Sequence, residues 1–253
     1  MNSNPQNGTS VKKYGLALHT ASRELGLAIS NFAGDSRCQT WNLDRDLATH
    51  LHQYLVEFIG PQTWADLAFI AVAKGPGGFT GTRMGMVTAR TLAQQLDIPV
   101  FAISTLAAVA WAASPQPPLA KGGLLSAEPS LAKGGLLNME PPQPPLAKGG
   151  LLREDMALQM PAQRGQLFGA VYSVNQEDSG LTELFPDTVM TPESWQEKLD
   201  NWGNSYQLIE VGSELGWSVS SVLELAYLEW QMGSRPDWSE ALPFYGQHPV
   251  KGH

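Results

Sequence analysis

Cysteine is nearly absent. Cys38 is the one thiol in 253 residues, so no internal disulfide can brace the fold, and the chain suits a reducing compartment. With no motif around it, Cys38 reads as a neutral strand residue. Charge is scarce as well: Asp, Glu, Lys and Arg make up 16% of the chain, and 16 basic residues against 24 acidic ones leave a formal charge of -8. Such a chain has no overall basic field to draw in nucleic acid, so any RNA is expected to meet most of its phosphate contacts on a partner. Long apolar runs are also missing. Thr105 to Ala113 is cut off by Ser114 and Pro115, short of the roughly 18 apolar residues that a membrane span needs. Met1 to Lys13 is polar, without the apolar stretch of a secretory signal. The expectation is a cytoplasmic protein with no membrane contact.

Glycine and proline, by contrast, are abundant, at 25 and 18 residues, and much of the excess sits in one place. The string LAKGGLL occurs at Leu119 to Leu125, Leu131 to Leu137 and Leu146 to Leu152, each copy preceded by proline. Copies so short and unevenly spaced do not build a solenoid, and paired Pro and Gly prevent a continuous helix or central strand. Residues 114-155 therefore read as a disordered low-complexity insertion. Exposed Leu-Leu pairs also fit a linear binding motif, the less favoured reading. The insertion is electrically neutral, so the whole -8 belongs to the other residues.

Outside the insertion, hairpins and helices take turns. Tyr14 to Ser22 and Glu24 to Asn31 pair as a hairpin across a polar turn, and Arg37 to Leu43 adds a third strand. Leu47, Leu51, Tyr54, Leu55 and Phe58, spaced three and four apart, predict a helix ended by Gly60-Pro61. Leu67 to Ala73 is apolar without alternation, as in a strand covered on both faces. A glycine loop follows, then a helix from near Thr82 to Asp97, the strand Pro99 to Ile103 and a helix over Ser104 to Ala113 capped by Ser104 or Thr105. After the insertion come a second hairpin (Met156 to Met160 with Gln166 to Val174), strand material over Leu181 to Met190, and a helix opened by Thr191-Pro192. The strand Tyr206 to Val211 and the helix Ser220 to Met232 complete the order. This pattern suits two lobes of mixed α/β structure: 14-103 as the first, 104-113 with 156-245 as the second, between a flexible N-terminus (1-13) and a tail (246-253).

The sharpest local feature is Gly75-Pro76-Gly77-Gly78-Phe79-Thr80-Gly81-Thr82-Arg83-Met84-Gly85, set between a buried strand and a helix. Such a loop can aim backbone N–H groups and a helix N-terminus at an anion. It is not a P-loop, since Lys74 precedes the glycines. A plainer reading carries equal weight: the glycines permit a tight turn and close packing. His50 and His52, two apart on a helix, cannot form a zinc pair and read as exposed polar residues. Arg83 reads as a surface ion-pair residue, and His248 and His253 are too isolated for a metal. Trp195, Trp202, Trp217, Trp230 and Trp238 read as core or lobe-interface packing in the second lobe.

The run Lys74 to Gly85, with Pro99-Val-Phe-Ala-Ile-Ser-Thr-Leu106 behind it, resembles the signature of the TsaB (YeaZ) family. Leu16 to Ser22, Gln163 to Phe168 and Leu242-Pro-Phe-Tyr245 stand in that family's order. The resemblance implies an α/β, two-lobed actin/hexokinase/Hsp70-like fold, related to ribonuclease H. It also implies a non-catalytic role in placing threonylcarbamoyl on the adenosine beside the anticodon of tRNAs that read codons beginning with A. The partners it implies are a TsaD-like catalytic subunit, in a heterodimer, and a TsaE-like ATPase, with tRNA reached mainly through the complex. ATP and Mg²⁺ would be used by the complex, with no cofactor, metal or catalytic residue assigned to this chain. Gly75, Gly77, Gly78, Thr80 and Gly81 would form a vestigial phosphate loop. Leu47, Leu51, Leu55, Met84, Val87 and Thr91, on the two first-lobe helices, would face the partner, and the same apolar pair allows a homodimer when the chain is alone. The chain departs from the family at His19 and at Pro161-Ala162-Gln163, where carboxylates are common. Neither imidazole nor proline replaces a carboxylate as a hard ligand for Mg²⁺. A small ATP-dependent kinase of the same superfamily is the alternative.

Overall fold

Leu16 and Leu18 face one side of the first strand and Ala17 the other, and this alternation organises half the molecule. The computed structural model describes residues 13–114, 154–175 and 180–246. Its first sheet contains β1 (Tyr14–His19), β2 (Glu24–Ser30), β3 (Ser36–Asn42), β4 (Leu67–Ala73) and β5 (Val100–Ile103), in the order β3-β2-β1-β4-β5. β1 runs antiparallel to β2 and parallel to β4. One face is made of large residues, Leu16, Leu18, Leu27 and Ile70, packed under α1 (Leu47–Ile59) and α2 (Phe79–Leu96). The opposite face is a stripe of small ones, with Ala17 paired to Ala28 on one side and to Ala71 on the other. With helices on both faces, all seven residues of β4 are buried, which explains its lack of alternation. Arg37 on β3 ties α1 down, its Nη2 donating to the carbonyls of Phe58 (2.8 Å), Ile59 (2.9 Å) and Gly60 (2.9 Å), which the helix leaves unpaired.

The second sheet repeats the first four strands. β6 (Asp155–Pro161), β7 (Leu167–Asn175), β8 (Gly180–Met190) and β9 (Tyr206–Glu210) lie in the order β8-β7-β6-β9, with β6 antiparallel to β7 and parallel to β9. α3 (Thr105–Ala113) covers one face through Leu106, Val109 and Ala110, and α4 (Pro192–Asp200) the other through Trp195 and Leu199. The expected two-lobed mixed α/β architecture is therefore present, and the predicted caps are in place: Ser104 Oγ accepts from Leu106 and Ala107 N–H, and Thr191 Oγ1 from Ser194 N–H.

Several boundaries differ from the expectation. α5 (Val219–Gln231) was expected in the second lobe, yet Val222, Leu223 and Ala226 pack on the alanine face of the first sheet, because only that small-residue stripe lets a helix come so close. Trp230 stacks there on Phe69 (5.2 Å), and Trp238 joins the first sheet's other face, so neither tryptophan belongs to the second lobe. α2 begins at Phe79 rather than near Thr82, since Thr82 N–H already bonds the Gly78 carbonyl. Ser114 and Asp155, counted with the insertion, are both buried: Ser114 closes the last turn of α3, and Asp155 accepts from Trp202 Nε1 (2.9 Å). Lys13 is likewise fixed, its N–H bonded to the Asp66 carbonyl (2.9 Å). The N-terminus 1–12, the repeats within 115–153 and the tail 247–253 with its two histidines lie outside the described residues. Among the described residues no helix is long and apolar enough to cross a membrane.

Candidate functional site

The glycine turn is sewn to its surroundings. Lys74 N–H bonds the Ile103 carbonyl (2.8 Å), Thr105 N–H the Gly75 carbonyl (2.9 Å), Gly78 N–H the Ala21 carbonyl (2.7 Å), and Phe244 N–H the Lys74 carbonyl (2.7 Å). Gly75 has φ +96°, a conformation that disfavours a side chain. A Cβ on Gly77 would overlap the Ala21 carbonyl oxygen, one on Gly81 the Thr20 carbonyl oxygen, and one on Gly85 the Thr20 hydroxyl. Thr20 Oγ1 donates to the Gly81 carbonyl (2.8 Å). What these glycines do here is admit the β1–β2 turn against the start of α2. They do not converge as an open cradle: Gly77, Gly78, Thr80 and Gly81 reach the wall of a neighbouring cleft, while Gly75 does not, and Thr80 and Gly81 lie inside the first turn of α2.

That cleft, about 1140 Å³, separates the lobes. One wall is the β1–β2 turn, residues 44–48 and the first turn of α2; the other is the β6–β7 turn and residues 211–215, with Phe244 and Tyr245 between them. Among the described residues its charged lining consists of Arg23, Arg45, Arg164 and a single carboxylate, Asp44. Arg23 Nε lies 3.8 Å from Asp44 Oδ1 with both side chains largely in solvent, a pair of little strength. Arg164 sits at the tip of the β6–β7 turn with φ 59° and ψ 34°. At the lip, Phe79 is 54% exposed and Tyr245 41%, their rings 5.3 Å apart, and the Arg83 guanidinium stands 5.2 Å over Phe79.

His19 is buried at the end of β1, away from the cleft lining, with neither ring nitrogen hydrogen-bonded among the described residues. Burial pushes its pKa down to about 4, so it is neutral near pH 7. A magnesium-nucleotide does not fit these residues: the cleft offers one carboxylate, already beside Arg23, and Pro161 and Gln163 on the facing turn bring none. Among the described residues no three His, Cys, Asp or Glu side chains gather as metal ligands. His50 packs edge-on to Tyr54 (6.2 Å) and His52 is exposed.

Of the expected partner-facing residues, Leu47, Leu51 and Leu55 are buried in the chain's own core, because the i, i+4 stripe of α1 that reads as apolar is the one that covers the sheet. Met84 is half-buried against the same core. Val87, 62% exposed, and Thr91 do face outward, with Arg83 one turn earlier. Sequence reasoning missed Val56, 63% exposed on α1, although an apolar residue among His52, Gln53 and Glu57 is itself a signal. It also missed the convergence of Arg23, Arg45 and Arg164.

A model of the TsaD family, tRNA N6-adenosine threonylcarbamoyltransferase, matches residues 59–127. The Bacillus subtilis tRNA threonylcarbamoyladenosine biosynthesis protein TsaB is 56% identical over 45 residues, 18% of this chain and 20% of that protein. The protein of the same name from Buchnera aphidicola of Schizaphis graminum is 48% identical over 48 residues, 19% of this chain and 23% of its own. Over these stretches the chain is similar to TsaB proteins. The matched stretches thus span about a fifth of these two TsaB proteins. YeaZ from Pseudomonas aeruginosa superposes with a TM-score of 0.64 at 20% identity, covering 92% of this chain and 99% of that one. A second Pseudomonas aeruginosa structure, of an uncharacterized protein with similarity to peptidase YEAZ, gives 0.65 at 19% over the same shares. At that identity the YeaZ structures show a shared fold, which here extends across both lobes.

Proposed function

We propose that this chain is a non-catalytic subunit in the biosynthesis of threonylcarbamoyladenosine, supporting a TsaD-like subunit that transfers threonylcarbamoyl to the adenosine beside the anticodon. The observation that carries this reading is the local identity of 56% to a protein named for that pathway. Consistent with it, the cleft's donor set is unsuited to a magnesium-nucleotide, so the use of ATP and Mg²⁺ falls to the TsaD-like and TsaE-like partners, and the work is cytoplasmic. Docking would use the outward sides of α1 and α2, where Val56, Val87 and Thr91 are available. The same face would serve a homodimer when the partner is absent.

Light scattering of the purified chain with its TsaD-like partner is expected to show a heterodimer, and tRNA modification by the partner is expected to require this chain. A partner that modifies tRNA equally well without it would overturn the reading. The kinase alternative would need carboxylates where His19 and Pro161 stand.

A further inference from the structure

We propose that the interlobe cleft binds a single-stranded nucleic-acid segment, holding its phosphates with Arg23, Arg45 and Arg164 and stacking a base on the Phe79–Tyr245 pair. The inference goes beyond the subunit role above, in which tRNA is reached through a partner, and does not depend on it. It starts from a contrast in charge. The chain carries a formal -8, yet among the described residues the cleft lining has three guanidiniums to one carboxylate. Neither Arg45 nor Arg164 has a carboxylate within ion-pair distance among the described residues. Guanidiniums left unpaired on facing walls of one cleft make a local positive field inside an acidic molecule, the arrangement that draws in a polyanion.

Arg164 adds a second observation. Its left-handed backbone is unfavourable for a residue with a Cβ, and the turn holds it there through Ala162 N–H to the Gln166 carbonyl (2.9 Å) and Gln166 N–H to the Gln163 carbonyl (3.2 Å). Gly165 beside it is left-handed too, at φ +71°, so the turn needs two such residues in a row, and the first of them is one whose side chain lines the cleft. The third observation is aromatic. Phe79 and Tyr245 stay exposed at the lip, their rings tilted by 45° to one another and Arg83 over one face of Phe79, so a base would stack on an open ring face beside a cation. An acidic peptide would satisfy the arginines but leave the ring faces without a flat partner. The volume, about 1140 Å³, exceeds the roughly 300–1,000 Å³ of most small-ligand pockets and leaves room for more than one nucleotide.

The test is fluorescence anisotropy of the full chain with a short labelled oligoadenylate, in EDTA, across a series of KCl concentrations. Three phosphate contacts predict a log–log salt slope of about -2. Arg45→Ala and Arg164→Ala should each reduce that slope by about 0.7, and Tyr245→Ala should weaken binding by about tenfold. Arg235→Ala, with its guanidinium on Trp230 outside the cleft, should change nothing. Absence of binding, a slope unchanged in both arginine variants, or equal competition by oligoglutamate of the same charge would each overturn the proposal. If the oligonucleotide fails to bind while the heterodimer still forms and modifies tRNA, the cleft proposal falls and the subunit role stands.

Discussion

Gly77 and Gly212 both line the cleft, yet they are under opposite constraints. A Cβ on Gly77 would strike the backbone oxygen of Ala21, whereas one on Gly212 would meet nothing within 4 Å. Gly77→Ala should therefore destabilise the protein by about 2–3 kcal/mol, because backbone has to move, while Gly212→Ala should be neutral or stabilising by a few tenths. Urea melts of the two variants check this; equal effects would mean that the turn yields. His19 gives a pH signature. Its folded pKa of about 4 lies below the usual 6.5, so the unfolded chain binds the proton first. This contribution is fully present above pH 6.5 and is lost as pH falls toward 4, up to about 3 kcal/mol. Half-buried Glu224 and the more exposed Glu229, whose carboxyl pKa values are raised by desolvation, oppose it: each stabilises the acid side and loses that contribution as pH rises through its folded value. His19→Asn should flatten the acid limb of a plot of melting temperature against pH and leave the neutral limb's slope unchanged.

On α1 and α2 the inward and outward stripes separate stability from association. Leu51→Ala removes a fully buried side chain under the first sheet and should cost about 2–5 kcal/mol with or without a partner. Val87→Asp replaces an exposed methyl pair by a charge; it should leave the melting temperature within a degree or two and abolish the heterodimer. Loss of the complex in neither variant would move the interface elsewhere. The two helices also show what a sequence makes legible. Their period, and the unalternating run of β4, follow from short-range spacing, so both elements were readable. The start of α2 was not, because a glycine run reads as loop, and local spacing does not reveal that Gly78 N–H bonds the Ala21 carbonyl of the distant β1–β2 turn while the Gly78 carbonyl takes Thr82 N–H as the helix's first bond. Leu47, Leu51 and Leu55 turn inward for a related reason: apolar spacing on α1 announces burial without saying against what, and the chain's own sheet took them.

Long-range packing decides the rest. Nothing near Val219 announces that α5 will lie on β1, β2, β4 and β5, far back in the chain, nor that Arg23 and Arg164 will share a cleft. α3 shows how the halves are joined. It is apolar all round, with Leu106, Val109 and Ala110 on the second sheet and Ala108 and Trp111 in the cluster formed by α5 and the first sheet, so it is core to both lobes at once. Phe244 adds a second tie, its N–H on Lys74 and its ring 6.2 Å from Phe168 of β7. Lobes joined this way should unfold together, and the Trp111 Nε1 bond to Glu224 Oε2 (2.8 Å), between α3 and α5, offers a place to test it. Trp111→Phe keeps most of the packing and strands a largely buried carboxylate, so it should cost about 2–3 kcal/mol. Glu224→Gln in the same background removes the charge and should recover part of that loss. If the lobes are coupled, tryptophan fluorescence and far-ultraviolet circular dichroism will shift to lower urea together in Trp111→Phe, along one transition. Two separated transitions, with only one displaced, would show that α3 belongs to a single lobe and that the shared core does not bind the two sheets into one cooperative unit.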